Sequence, residues 1–382
     1  MIFQIQYVTI KYQHLWTYAI DNYKCLVNFE LNLDKIALLL GANGSGKSSV
    51  LEVLLKLREF IAGTKRISSV FCHDTLTLWQ RLPVQRFGLT ITLDGAIYEY
   101  GLEIEHELNK KLCRVKKEWL LYDKQPLFQL ENGNAQLYKD NFQKGPEYPF
   151  DWSQSGLSAL QPRPENQRLT RFKEWLNQMI IVRPVPSMMG NESPGEDAYL
   201  SLSADNFSSW YRYLSQEHQG KVFDLINRLR DILDGFHSFR LAKTGEEQRS
   251  LMVAFQRGET AADPIYYRFQ ELSDGQRMII LLYTLLIYVK DQQVCLCLDE
   301  PENYLALPEI QPWLSECYDE IGQGQGQMLF ISHHPEIINY LASGYGYWFE
   351  KEANMPVRLQ QITENGSGLP ISELVARNWL YE

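Results

Sequence analysis

No stretch of this chain is apolar for long enough to cross a bilayer. The strongest apolar run, Met278 to Val289, falls well short of the roughly 20 residues a spanning helix needs. The N-terminus lacks a basic-then-apolar signal pattern, so a cytoplasmic location is expected. Cysteine is sparse and scattered: Cys25, Cys72, Cys113, Cys295, Cys297 and Cys317 include no CxxC pair, which argues against a disulfide framework and a zinc site. Excess basic charge is missing as well. A formal net charge of −10 excludes a surface that is basic all over, as a general nucleic-acid coat would be, but leaves room for a local patch. No heptad run survives between Tyr138 and Gln270, so long coiled-coil arms are not expected. Apart from the Gly322-Gln-Gly-Gln-Gly326 connector there is no low-complexity tract, and no internal repeat.

What is present is a globular composition, 382 residues of which 45% are hydrophobic, enough for one large core or two moderate ones. Its most informative stretch is Gly41-Ala42-Asn43-Gly44-Ser45-Gly46-Lys47-Ser48, set between the apolar run Ile36 to Leu40 and a helical pattern opening near Ser49. A strand that turns sharply into a helix points the first helical N–H groups and the positive dipole end at one spot, where phosphates bind. Gly41, Gly44 and Gly46 let the backbone approach, with Asn43, Ser45 and Ser49 completing the loop; Lys47 reaches the β- and γ-phosphates and the Ser48 hydroxyl ligates Mg²⁺.

Around this loop the periodicity changes several times. Tyr23, Cys25, Val27, Phe29, Leu31 and Leu33 alternate like a half-buried strand, and Val50, Leu54, Leu57 and Ile61 make one face of a helix after the loop. Alternating runs on either side of Asp94-Gly95, and again around Asn132-Gly133, predict hairpins of an antiparallel meander reaching about Tyr138. Between Asp140 and Leu200 prolines crowd the chain, which predicts an irregular connection with a helix near Leu169 to Met179. Val222 to Phe236 predicts an amphipathic helix ending at Asp234-Gly235, followed by short strands at Ser250 to Phe255 and Tyr266 to Phe269.

Three further motifs carry chemistry. Leu272-Ser273-Asp274-Gly275-Gln276-Arg277 opens the apolar helix from Met278, so Ser273, Gly275 and Gln276 stand at a helix N-terminus, where an anion is favoured. Val294 to Leu298 reads as a buried strand ending in Asp299-Glu300-Pro301. Ligands bind at the carboxyl ends of parallel strands, so Asp299 is assigned to the Mg²⁺ shell and Glu300 to the attacking water. Met328 to Ile331 ends in Ser332-His333-His334-Pro335, which places His333 as a γ-phosphate contact.

In this order the four motifs resemble the Walker A, signature, Walker B and switch-histidine set of ABC-type ATPases. Asp299-Glu-Pro-Glu-Asn303, Ser332-His-His-Pro335 and the tail Ser372-Glu-Leu-Val-Ala-Arg377-Asn-Trp resemble, more narrowly, the standalone bacterial AAA-type ATPases grouped with the SMC, RecF and OLD proteins. The resemblance implies an α/β P-loop NTPase of ABC type: a central, mostly parallel sheet with flanking helices, an antiparallel β lobe and a helical signature lobe. It implies a single head over 1–382, with 1–139 holding Walker A and the β lobe, 140–270 an irregular and helical insertion, and 271–382 the signature, Walker B and switch histidine. It also implies ATP sandwiched between two heads, with Ser273, Gly275 and Gln276 touching the γ-phosphate held by the other copy's Lys47. A sensing glutamine, the third Mg²⁺ candidate, has no sharp motif: Gln161 is the first choice, with Gln80 and Gln85 as rivals. Where relatives carry a His-x-His-Pro-like stretch, this chain has Tyr304-Leu305-Ala306-Leu307-Pro308.

The expected function is therefore an ATPase that dimerises on ATP and acts on DNA, or controls a companion effector such as a nuclease, in DNA repair or antiviral defence. The alternative is the ATP-binding subunit of a membrane ABC transporter, against which stands the long separation between Lys47 and Ser273. A non-hydrolysing nucleotide sensor is a third reading, disfavoured by Glu300. For DNA, the run Lys110-Lys111, Arg114, Lys116-Lys117 is the candidate phosphate-contacting face, though a solvated face is the reading its composition favours.

Overall fold

The computed structural model describes residues 16–80, 82–256, 263–324, 326–353, 355–363 and 368–377. Gln325 of the glycine-rich connector and Asn378-Trp379 of the tail motif lie outside them. In chain order the elements are β1 (Trp16–Asp21), β2 (Phe29–Leu33), β3 (Ile36–Gly41), α1 (Lys47–Ile61), α2 (Ile67–Val70), β4 (Val84–Leu93), β5 (Ala96–Glu107), β6 (Leu112–Tyr122), β7 (Gln125–Glu131), β8 (Asn134–Tyr138) and β9 (Lys144–Pro149). There follow α3 (Gln167–Gln178), β10 (Ile180–Val182), β11 (Glu192–Ser193), α4 (Phe207–Glu217), α5 (Gln219–Ile232), β12 (Phe236–Lys243), β13 (Arg249–Phe255), β14 (Ile265–Arg268) and α6 (Asp274–Val289). The chain closes with β15 (Cys295–Asp299), α7 (Leu307–Gln323), β16 (Gln327–Ile331), α8 (Pro335–Tyr345), β17 (Gly346–Glu350), β18 (Arg358–Gln361) and α9 (Ile371–Arg377).

Two compact units result. One takes the described residues up to Asp34 with Arg66–Thr170; the other takes Lys35–Lys65 with the described residues from Arg171 onward. The first is built on an eight-stranded sheet in the order β2-β1-β4-β5-β6-β7-β8-β9, every neighbour antiparallel. Its expected hairpins are present: Asp94-Gly95 and Asn132-Gly133 all have positive φ, the geometry whose twist matches that of the flanking strands. The meander runs further than expected, through β9. The expected strand from Tyr23 to Leu33 is only half realised. Residues 22–28 form a turn in which Asn22, Lys24 and Asn28 are left-handed, and extended structure resumes at Phe29. Alternation there reports burial of Tyr23, Cys25 and Val27, not an extended backbone.

The second unit holds a six-stranded sheet in the order β10-β15-β16-β3-β17-β18, parallel except for the β17–β18 pair. β3, β15 and β16 are buried along their whole length, as strands covered by helices on both faces must be. A small sheet of β11, β13, β12 and β14 and the helices α4 to α6 pack into the same core through Phe207, Trp210, Leu251 and Phe269. Strand β12 and helix α4 go beyond the sequence reading. In α4 the residues Phe207, Trp210, Tyr211 and Leu214 nonetheless fall at i, i+3, i+4 and i+7, a helical stripe that is buried.

Candidate functional site

In the second unit β15, β16 and β3 are neighbours, and their register sets Asp299 beside Ile331 and Ile331 beside Leu39. The three chain segments that leave this row are the glycine-rich loop, Glu300-Pro301 and Ser332-His333. Three motifs far apart in sequence thus share one sheet edge, at the carboxyl ends of parallel strands.

The loop is shaped by its glycines. Gly41, Gly44 and Gly46 have φ of 145°, 77° and 103°. A Cβ on Gly41 would lie 2.5 Å from the carbonyl oxygen of Phe349, so no other residue fits there. Gly46 leads straight into α1, whose first residue is Lys47. The Lys47 ammonium folds back on its own loop, donating to the carbonyl oxygens of Gly41 at 2.7 Å and Ala42 at 3.0 Å. It is nearly buried, and burial pulls its pKa below the usual lysine value against the opposing charges of Asp299 and Glu300. The buried Ser45 hydroxyl has no hydrogen-bond partner among the described residues, an orphan in the loop. A polyphosphate fits this cradle: it would give Lys47, Ser45 and the helix N-terminus the anionic acceptors they lack. Ser48 helps to hold the Asp299 carboxyl down, so the two oxygen donors expected for Mg²⁺ are neighbours. Burial raises the Asp299 carboxyl, countered first by Arg183, whose guanidinium lies 3.7 Å away. Arg183 carries no sequence signal; only the fold brings it here.

Glu300 sits in the left-handed region at φ 54°, unusual for a side chain of this size, and is held there by its N–H bond to Ile331 O at 2.8 Å. Asn303 donates to its carboxylate at 3.0 Å. His333 is half-buried, and its imidazole pKa is lowered by burial and then by Lys47, with Glu300 and Asp299 pulling the other way. The strand register brings the segments that carry these four side chains to one end of the same sheet. Glu302 belongs here too, though the sequence reading gave it no role. Its carboxylate accepts from Ser332 Oγ at 2.6 Å and the His333 N–H at 3.2 Å, tying the segment after β15 to the segment after β16. Burial raises its pKa, and its second oxygen is buried without a partner among the described residues.

The signature residues lie elsewhere on this unit. Ser273 caps α6, accepting from the Gln276 N–H at 3.2 Å while the Gln276 side chain accepts from the Ser273 N–H at 3.1 Å. Ser273 is exposed, and Gly275 passes so close to Tyr304 that a Cβ would lie 3.0 Å from its carbonyl oxygen. Among the described residues no hydrogen bond or ion pair joins 273–276 to Lys47, Asp299, Glu300 or His333. Gln161 lies in the first unit, exposed, with its carbonyl accepting from Asn166. Its rival Gln85, in the same unit, is fully buried and spends its amide on Asn22, Thr75 and His106. Gln80, also there, has a buried side-chain oxygen without a partner. In the basic run, Lys110 pairs with Glu107, Arg114 with Glu105 and Lys117 with Glu131, so three of the five positive charges are answered locally.

Residues 36–339 match the model of a protein family described as "AAA domain, putative AbiEii toxin, Type IV TA system". No curated protein matches the chain. Among solved structures, an SMC head bound to the C-terminal winged-helix domain of ScpA is 12% identical with a TM-score of 0.54, covering 91% of this chain and 98% of that one. An SMC head with an extended coiled coil bound to the C-terminal domain of ScpA, derived from Pyrococcus furiosus, is 11% identical with a TM-score of 0.51, covering 90% and 96%. At such identities the likeness is one of fold. The architecture is that of an α/β P-loop NTPase of the SMC-head kind, and among the described residues no helix is long and apolar enough to cross a membrane.

Proposed function

The chain belongs to the AAA domain family, and from that premise we propose that it is an ATP-hydrolysing switch that pairs with a second copy of itself on ATP and passes the change to DNA or to a companion effector. The observation that carries the reading is the meeting of Lys47, Ser48, Asp299, Glu300 and His333 at the ends of three adjacent parallel strands.

Each residue has a part that its surroundings support. Lys47 would exchange the Gly41 and Ala42 carbonyls for phosphate oxygens, a stronger, charge-assisted partner. Ser48 and Asp299 would hold Mg²⁺, which when bound offsets charge developing on the terminal phosphoryl group. Glu300, oriented by Asn303, would take the proton of the attacking water, and His333 would face the γ-phosphate. Gln161 remains the proposed third Mg²⁺ partner. Ser273, exposed at the start of α6, and the half-buried Gly275 and Gln276 would complete the site of a second copy, since a helix N-terminus favours an anion.

For the output, two comparisons lean the same way. The family description names a toxin of a toxin–antitoxin system, and the SMC heads are described with a companion domain bound. Both are compatible with control of a partner protein, the output we favour. The paired basic run supports the same choice.

Three variants test the proposal. Lys47→Ala is expected to lose ATP binding. Glu300→Gln is expected to bind ATP, turn over at least about 100-fold more slowly, and accumulate as a dimer in sizing runs with ATP and Mg²⁺. Ser273→Arg is expected to bind ATP and stay monomeric. A Glu300→Gln profile identical with and without ATP would sink the dimer.

A further inference from the structure

A cavity lies in the second unit, at the opposite end of α1 from the glycine-rich loop. Arg58 lines it, eleven residues after Lys47 and so about 16 Å away along the helix axis. We propose that this cavity binds a small aromatic anion, a single planar ring carrying a carboxylate or phosphate group, with Arg58 taking the charge and Trp210, Tyr213 and Tyr288 the ring. The inference stands apart from the reading of the ATP site.

Charge is the first argument. The cavity, about 230 Å³, is lined by Arg58 and by no aspartate or glutamate. The Arg58 guanidinium donates to the carbonyl oxygen of Met179 at 2.6 Å, which fastens the end of α1 to the start of β10. That bond uses one of five N–H donors, and among the described residues Arg58 has no ion-pair partner. Burial lowers its pKa, and the nearest compensating carboxylate, Glu59, is itself held by Lys65 at 2.9 Å. A half-buried guanidinium without a counter-charge is costly, and an anion entering the cavity would relieve that cost.

The walls supply the second argument. Tyr199, Tyr213 and Tyr288 line the cavity and their hydroxyls make no hydrogen bond among the described residues, so three phenolic donors are available beside the guanidinium. Tyr199 stands exposed at the rim, while Trp210 is buried and meets Tyr288 edge-on at 5.4 Å. The Tyr288 phenol is pushed up by burial and then by Tyr213 and Tyr199, which line the same cavity. Aromatic faces with a few convergent polar groups are what a ligand site consists of. The volume is below the roughly 300 Å³ at which such pockets begin, which selects a single ring over a whole nucleotide.

Calorimetric titration of the full chain with phenyl phosphate and with benzoate tests this, with inorganic phosphate and benzamidine as contrasts. Wild type and Lys47→Ala should bind the aromatic anions equally. Arg58→Gln should weaken them about tenfold and Tyr199→Phe about threefold, while inorganic phosphate and benzamidine bind at least about tenfold more weakly than the aromatic anions. The ratio of phenyl phosphate to benzoate affinity then tells which anion the site prefers. Should Arg58→Gln fail to fold, Tyr199→Phe and Tyr288→Phe carry the test. The proposal is overturned if neither aromatic anion binds, if binding disappears in Lys47→Ala, or if folded Arg58→Gln, or both tyrosine variants, bind like wild type.

Discussion

Two nearly buried carboxylates, one in each unit, are satisfied to different degrees. Glu118, in the antiparallel unit, accepts from Tyr100 Oη at 3.0 Å, Ser155 Oγ at 2.6 Å and the Gly156 N–H at 2.7 Å, spread over both of its oxygens. Glu302, in the parallel unit, has both its bonds on one oxygen and leaves the other bare. The first is a strut whose surroundings were built to satisfy it. The second shares its unit with the orphaned Ser45 hydroxyl and with Lys47, which folds back on its own loop. Buried polar atoms without a partner among the described residues also occur in the β unit, at Gln80 and at His106 Nδ1, so a bare oxygen points to the site only together with the convergent groups around Glu302.

Removing the strut is the severest way to break that contrast. Glu118→Ala strands a phenol, a hydroxyl and an N–H inside the β unit, and is expected to cost about 3–5 kcal/mol. Thermal unfolding measures the loss. ATP affinity of the protein that remains folded should not change, and a specific loss of ATP binding would show that the β unit's buried network serves the site after all.

Acid should act on the same unit. His106 is bonded through Nε2 to Gln85 at 2.9 Å, and burial, then the neighbouring His73, lowers its pKa to about 4. The unfolded chain binds the proton more readily, so the stability His106 contributes is complete above about pH 6.5 and declines as pH falls toward 4. Between pH 7 and 5 the loss should be about 1.5–2 kcal/mol. Comparing wild type with His106→Asn isolates it: the protection of β4 and β5 peptides against hydrogen exchange, corrected for the intrinsic pH dependence of exchange, should fall less between pH 7 and 5 in the variant. An unchanged dependence would place the acid sensitivity elsewhere.

The contrast also explains what could be read in advance. Gly41 to Ser48 was legible because a phosphate loop is local: strand, loop and helix are contiguous, and each residue type has its own reason. β15 and β16 were legible because buried strands are runs of apolar residues with their functional groups at the tips. Alternation was less faithful at Tyr23 to Val27, where it recorded burial in a turn. Arg183 and Arg58 gave no signal, since nothing local distinguishes an arginine aimed at a site from one in solvent. Gln161 stands in a proline-rich connection that has no period to fix its direction. Glu302 was hidden in plain view inside Asp-Glu-Pro-Glu-Asn, where its neighbours claimed the chemistry.

Glu302 sharpens the comparison with a kinetic effect. Glu302→Ala releases Ser332 and the His333 backbone from the Glu300 segment, and should lower kcat about tenfold while leaving ATP affinity within about twofold. Glu302→Gln keeps an acceptor for the Ser332 hydroxyl and should recover most of the rate. Single-turnover hydrolysis beside equilibrium binding separates the two. If Ala and Gln are equally impaired, the bond to Ser332 is not what Glu302 contributes.

The smallest effect is expected where the β unit most resembles a binding surface. Lys110 and Lys117 are exposed and each lies 2.7 Å from a glutamate, Glu107 and Glu131. Exposed pairs of this kind gain little in water, so Lys110→Gln with Lys117→Gln should shift stability by less than about 0.5 kcal/mol per position. Their charges are already answered, and duplex DNA would have to displace the glutamates before it released counterions of its own. Fluorescence anisotropy with a labelled duplex across a salt series is therefore expected to give the same curve for wild type and the double variant. A steep salt dependence in wild type that flattens in the variant would instead make this face a phosphate-contacting surface, and move the β unit from architecture to function.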